Sequence, residues 1–173
     1  MHLLYQKARH IKLFAMDVDG VLTDGQLIYD AQGVESKAFF VQDGLGLKLL
    51  QKAGITLAII TGRSSPMVER RAAELGIDHV VQGRDDKFVA LSELAQSLGL
   101  SLDECAYMGD DLPDLKAIKY AGLGMSVPNG CNQAREAAVF VTSKKGGEGA
   151  VRQACEVILM AKGVYEQFVA QFT

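Results

Sequence analysis

The stretch Phe14–Gly25, FAMDVDGVLTDG, runs an apolar segment into two carboxylates one residue apart, Asp17 and Asp19. Ile11 to Met16 reads as a buried strand, and carboxylates at the end of a buried segment are costly unless something pairs with them. Their partners must come from elsewhere in the chain. Short apolar runs that end in polar residues recur along it. ITLAII (55–60) ends at Thr61-Gly62, HVVQG (79–83) precedes Lys87, and CAYM (105–108) ends at Gly109-Asp110-Asp111. Continuous apolar, β-rich runs of this kind suit the central strands of a parallel sheet.

Helical stretches separate these runs. DGLGLKLLQKAG reads as a short helix stopped by Gly54. Ser65 offers an N-cap and Pro66 a first helical position, and Gly76 closes the helix they open. KFVALSELAQSLG (87–99) is amphipathic, with Phe88, Leu91, Leu94 and Leu98 to one side. Further helices are predicted at about 113–121, near 131–137 and from Ala150 to Gly163, with strands GMSV and VFVT between them. Residues 25–41 carry apolar alternation on both sides of a turn at Asp30–Gly33, which signals a β-hairpin. Strand and helix alternate at least five times. This predicts an α/β fold with a doubly wound, mainly parallel sheet and a small β-hairpin insertion, in one domain spanning 1–173. The tail, 163–173, is apolar enough to want a partner.

Composition narrows the function classes. With 173 residues, 49% apolar and 23% charged, the chain is long enough for a sizeable core. A net charge of -3 advertises neither nucleic acid nor an anionic membrane. No apolar run approaches a membrane span or the core of a signal peptide. Cys105, Cys131 and Cys155 are odd in number and widely spaced. They favour neither disulfides nor a zinc site and suit a reducing cytoplasm.

In an open α/β sheet, ligands bind beyond the carboxyl ends of the strands. Asp17, Asp19, Thr61, Lys87 and Asp110 all belong to that crevice. Three carboxylates with one ammonium and one hydroxyl hold an anion poorly. Mg²⁺ reverses this, because it prefers oxygen ligands and takes substrate phosphate as well. Asp17 and Asp110 can bind the metal, and Asp17 can offer its free oxygen to phosphorus. Asp19, two residues on and therefore on the same side of an extended strand, can protonate a leaving alcohol and later deprotonate water. Thr61 and the amides after it, including Gly62, can hold phosphate oxygens, while Lys87 neutralises them. Singly, each residue has a plainer reading: a surface DxD, a strand end, a solvated lysine at a helix start, a capped turn. A calcium loop fails, since Gly20 falls at its fourth position and Ile28 at its twelfth. It is the joint occurrence at strand ends that carries the signal.

DVDGVLTDG, TGR, Lys87 and GDDLPD, in that order, resemble the four motifs of the haloacid dehalogenase superfamily of phosphohydrolases. The resemblance covers nearly the whole chain. It implies Asp17 as nucleophile, forming an aspartyl-phosphate, and Asp19 as general acid/base. It places Mg²⁺ on the Asp17 carboxylate, the Asp19 backbone carbonyl and Asp110. Thr61 and Lys87 would hold the phosphoryl group, with Asp111 and Asp114 one layer behind. Only 44 positions separate Asp17 from Thr61 and 26 separate Thr61 from Lys87, which leaves no room for a cap domain. Closing a bare site calls for neighbouring subunits, with the hairpin and the tail as the expected parts.

VLTDG, FFVQDGLGLKLL, TGRSSPMVERRAAELGI, YMGDDLPDL and KGGEGAVRQ narrow the resemblance to a capless family. Its members remove phosphate from 3-deoxy-D-manno-octulosonate 8-phosphate in lipopolysaccharide sugar synthesis. The family is tetrameric, and the resemblance implies a homotetramer here. It also implies substrate contacts from a loop after the hairpin, Phe40, Val41, Gln42, Asp43 and Gly44, and from Lys48, Gly62, Arg63, Arg71 and Lys87. Cations at both ends suit a sugar acid phosphate. Gln42 and Glu148 stand where arginine occurs in some members, and both remove positive charge. Relatives acting on nine-carbon keto sugar acid 9-phosphates share the motifs and form the alternative. A receiver-like signalling domain also gathers acids, a Thr and a Lys, but its phosphoacceptor sits in a middle strand after the acidic pair. Here the DxD comes first and the GDD last. A catalytically silent subunit is opposed by the intact acidic set.

Overall fold

The computed structural model describes residues 2–173. After a short helix α1 (His2–Ala8), strand β1 (Leu13–Met16) enters the sheet, and β2 (Ile28–Tyr29) and β3 (Glu35–Ser36) form the hairpin. Then follow α2 (Val41–Lys52), β4 (Thr56–Ile60), α3 (Pro66–Leu75), β5 (His79–Val81), α4 (Lys87–Ser97) and β6 (Cys105–Met108). The chain ends with α5 (Leu115–Tyr120), β7 (Leu123–Ser126), α6 (Asn132–Ala137), β8 (Phe140–Val141), α7 (Ala150–Ala161) and α8 (Tyr165–Val169).

Six strands line up in the order β5-β4-β1-β6-β7-β8, every pair parallel. Side chains alternate across the sheet. Phe14, Met16, Ile59 and Met108 pack with Leu47, Leu50, Val68, Val151 and Ile158 from α2, α3 and α7. Leu13, Ala15, Ile60 and Tyr107 pack on the other face with Leu91, Ile118 and Ala134 from α4, α5 and α6. Both faces are covered, as a doubly wound sheet requires.

Register decides where the polar residues meet. Met16 sits opposite Ile59 on one side and Met108 on the other. Asp17, Thr61 and Asp110 therefore leave the sheet at one level, and the Asp17 amide still donates to Met108 O at 3.0 Å. From β1 the chain builds outward through β4 and β5, then crosses back to start β6 on the other side. That reversal between β1 and β6 is the switch point where open sheets leave a crevice.

Local details depart from the expectations. α2 starts at Val41, so Val41–Gly44 form its first turn and no loop. Ser65 is the N-cap of α3, but its hydroxyl makes no capping bond and is buried without a partner. The helix after Asp111 begins as a 3₁₀ turn, Leu112–Asp114. α1 carries no signal that the sequence reading used. The tail folds back, with Val164, Tyr165 and Phe168 against the main core and Tyr165 OH donating to Glu156 Oε1 at 3.0 Å. All three cysteines are free.

Asp43 belongs to this packing. It is 1% exposed, and its Oδ1 accepts from the Arg152 amide at 2.7 Å. Arg152 lies in the first turn of α7, where amides have no partner within the helix. One carboxylate on α2 thus ties down the start of α7. Asp43→Ala should lower unfolding stability by about 1–3 kcal/mol, measured by urea denaturation. Unchanged stability would return Asp43 to the substrate-contact role.

Candidate active site

The carboxyl ends of β1, β4 and β6 open into a cleft of about 340 Å³ lined by Asp17, Asp19, Thr61, Arg63, Lys87 and Asp110. Gly62 and Asp111 line it too. A larger hollow of about 910 Å³ lies between α1 and Asp103–Glu104, at the start of the strands. Three of its lysines are already engaged: Lys7 with Gly122 O, Lys12 with Glu104 and Lys162 with Arg9 O.

Lys87 opens α4 and reaches between two carboxylates. Its ammonium lies 2.7 Å from Asp17 Oδ2 and 2.8 Å from Asp114 Oδ1, with all three side chains almost fully buried. Oxygens of Asp17, Asp110 and Asp114 lie within 4.8 Å of one another. Burial, reinforced by the neighbouring Asp114 charge, pushes the Asp17 carboxyl up to about 6. Burial and the Asp17 and Asp114 charges push Asp110 up to about 7. Burial lowers the Lys87 pKa, but Asp17 and Asp114 outweigh it and raise it overall.

The three acids are not equivalent. Asp114 Oδ1 accepts from Lys87 and, at 2.6 Å, from Tyr107 OH, while Oδ2 accepts from the amides of Asp110 and Asp111 at 3.1 Å. Its four acceptor positions are filled, so it supports the site and is no metal ligand. Asp17 accepts from the Val18 amide and Lys87 and keeps spare lone pairs. The Asp110 carboxylate rests over Gly20, where a Cβ would fall onto Oδ2. Gly20, at φ +88°, lets the two chain segments close up. Asp17, Asp110 and Asp114 against Lys87 leave two negative charges uncompensated, and the open oxygens belong to Asp17 and Asp110. That donor set fits a divalent, oxygen-preferring cation such as Mg²⁺.

Asp19 reaches the cleft differently from the way the sequence suggested. β1 ends at Met16, so the two-residue period does not extend to Asp19, which sits in a turn. Thr23 pins that turn, its Oγ1 accepting from the amides of Gly20 and Gly25. The glycine-rich segment buttresses it: the Gly147 amide donates to Val21 O, and a Cβ at Gly146 would strike Gly20 O. The Asp19 carboxylate faces the hairpin and pairs with Lys37.

Of the other expected residues, Thr61, Gly62, Arg63 and Lys87 come together in the cleft. Thr61 is 2% exposed, with its hydroxyl 3.4 Å from the Arg63 amide. Asp111 accepts from the Leu112 amide and caps the 3₁₀ turn. The rest of the expected substrate set lies outside the cleft of this chain. Phe40 and Gln42 line a separate hollow with Glu148 and Arg152. Val41 and Lys48 are exposed on α2. Gly44 is buried against Arg71, whose guanidinium lies over the Phe39 ring, 5.9 Å from its centroid. Once α2 begins at Val41, its first turn points these side chains around a helix, and they cannot all face one ligand. The reading missed Tyr107, Thr23, Glu35 and Lys37. Lys37 was discoverable, because it shares a hairpin face with Glu35.

Residues 79–154 match the family of haloacid dehalogenase-like hydrolases. The 3-deoxy-D-manno-octulosonate 8-phosphate phosphatase of Escherichia coli K12 is 41% identical over 165 residues, 95% of this chain and 88% of that one. The chain belongs to the 3-deoxy-D-manno-octulosonate 8-phosphate phosphatase family. A crystal structure of the Moraxella catarrhalis phosphatase, in complex with magnesium, phosphate and KDO, superposes with a TM-score of 0.99. It shares 61% identity and covers 100% of this chain and 99% of its own. The cobalt-bound Haemophilus influenzae phosphatase is 42% identical, with a TM-score of 0.90 and coverage of 94% and 95%. The family's lack of a cap domain matches the elements seen here. Only the hairpin, α2 and β4 stand between Asp17 and Thr61, and only α3 and β5 between Thr61 and Lys87. No described helix is long and apolar enough to cross a membrane.

The raised carboxyl values set a sign for metal-free stability. Asp110 binds its proton more tightly folded than unfolded, so it favours folding most below about 3.8 and loses that contribution as pH rises through about 7. In EDTA, Asp110→Asn should therefore gain Tm over the parent between pH 5 and pH 8. A difference independent of pH would contradict the shift.

Proposed function

We propose that the chain is a Mg²⁺-dependent phosphomonoesterase that hydrolyses 3-deoxy-D-manno-octulosonate 8-phosphate to the free sugar acid and phosphate. One observation carries this reading. The uncompensated pair Asp17 and Asp110 shares a cleft with Lys87 and Thr61, in a chain that matches the Moraxella phosphatase from end to end.

Asp17 and Asp110, with the backbone carbonyl of Asp19, would hold Mg²⁺, which would neutralise charge on the phosphoryl group. Thr61 and the amides of Gly62 and Arg63 bind phosphoryl oxygens, and Lys87 balances their charge. Asp17 attacks phosphorus, and the bond from phosphorus to the sugar oxygen breaks. Asp19 hands its proton to the departing oxygen. Asp19 then takes a proton from water, whose oxygen attacks phosphorus and releases Asp17 from the aspartyl-phosphate. Lys87 also keeps Asp17 ionised, opposing the burial that raises its pKa.

The reading places the enzyme in the cytoplasm, on the route to lipopolysaccharide, as a homotetramer of one-domain subunits. Leu27, Ile28, Tyr29 and Val34 on the hairpin are each about half exposed or more. This apolar surface supports assembly better than the tail, which is partly used up on its own core.

With p-nitrophenyl phosphate, turnover should require Mg²⁺, and Asp17→Asn should cost at least about a thousandfold in kcat. Full turnover by that variant would remove Asp17 as nucleophile. Among sugar acid phosphates ranked by kcat/KM, the eight-carbon 8-phosphate should lead.

A further inference from the structure

The hairpin carries a buried cation that the reaction above leaves unused. The Lys37 side chain is 2% exposed. Its ammonium pairs with Asp19 Oδ1 and lies 3.3 Å from Glu35 Oε1. Glu35 Oε1 also accepts from Arg63 Nη2 at 2.6 Å, and Arg63 Nε lies 3.7 Å from Asp19 Oδ2. Two acids and two bases thus close a ring at the cleft mouth, linking the hairpin to the turn after β1 and the loop after β4.

Two physical demands meet at this ring. Asp19 sits in a turn beside Gly20, so no strand fixes its side chain, and its carboxylate takes its position from the cations around it. Arg63 is a loose restraint, with its side chain 43% exposed and its Nε beyond hydrogen-bond distance. The buried contact is the one from Lys37. The second demand comes from turnover, because Asp19 must hold a proton in one half-reaction and lack it in the other. A buried ammonium whose only partner became neutral would be left uncompensated. Glu35 provides the second acceptor.

We propose that Lys37 is a positioning residue for Asp19. It holds the carboxylate toward the leaving-group side of the cleft, and Glu35 keeps its ammonium partnered while Asp19 carries the proton. This rests on the phosphatase reading above. In the first half-reaction the proton passes from an Asp19 oxygen to the sugar oxygen as its bond to phosphorus breaks. In the second it passes from water to Asp19, as the water oxygen bonds phosphorus and the Asp17 oxygen leaves. Lys37 keeps its three protons throughout.

The test compares two substrates by kcat/KM, which reports the steps through the first phosphoryl transfer. Nitrophenolate leaves without a proton, whereas a sugar alkoxide needs one. With full-length protein and Mg²⁺, Lys37→Met should lower the ratio of octulosonate 8-phosphate to p-nitrophenyl phosphate activity by at least about tenfold, in the direction set by Asp19→Asn. Lys37→Arg should recover part of that ratio. Equal losses on both substrates would overturn the proposal and leave Lys37 a purely structural lysine. Should Lys37→Met not fold, Lys37→Arg and Glu35→Gln carry the same comparison, and an unchanged ratio in both would be equally fatal. A parent enzyme inactive on both substrates would instead sink the phosphatase reading itself.

Discussion

Lys87 reaches from the first residue of α4 into a space between Asp17 and Asp114, and much of the site depends on that reach. An ammonium buried to this degree is tolerable only with close anionic partners. Its two contacts tie the end of β1 to the 3₁₀ turn after β6, across the switch point of the sheet. Asp114 is then fully occupied, with Tyr107 on one oxygen and two backbone amides on the other. It anchors the loop that presents Asp110. The carboxylates left with open oxygens are therefore those of Asp17 and Asp110, which lie within 4.8 Å of one another.

Charge divides the cleft into two unlike regions. Around Lys87, three acids meet one base, and the excess calls for a cation. Around Lys37, two acids meet two bases and the sum is neutral. The acidic region suits an electrophile that arrives with metal. The neutral ring suits a group that must gain and lose a proton without a large change in local field. Asp17 and Asp19 stand one residue apart in sequence and fall on opposite sides of this boundary.

The strands, the doubly wound parallel sheet and the gathering of Asp17, Thr61, Lys87 and Asp110 were legible in the sequence, because apolar runs and their polar ends are local patterns. What was not legible depended on helix phase and on distance. The start of α2 at Val41, two residues ahead of its expected first turn, removes Val41, Asp43 and Gly44 from a presumed loop. Asp43 then becomes a cap for α7, more than a hundred positions away. The saturation of Asp114 and the burial of Lys37 are likewise long-range facts. Asp110, Asp111 and Asp114 look alike in GDDLPD, and only their hydrogen bonds separate a carboxylate with open oxygens from a helix cap and an anchor.

The hairpin shows how a fold of this kind can line the mouth of its cleft without a cap domain. A cap domain would bring its own core and cover the cleft from above. Here two-residue strands suffice, since Lys37 and Glu35 take their positions from charge pairing with Asp19 and Arg63 and need no packing of their own. Leu27, Ile28, Tyr29 and Val34 of the hairpin remain about half exposed or more. Lys37 and Glu35 are specified by ion pairs, whereas the exposed apolar side chains answer to the hydrophobic effect, two forces with different ranges and directions. One short segment can thereby pair with a carboxylate of the cleft and still carry exposed apolar side chains.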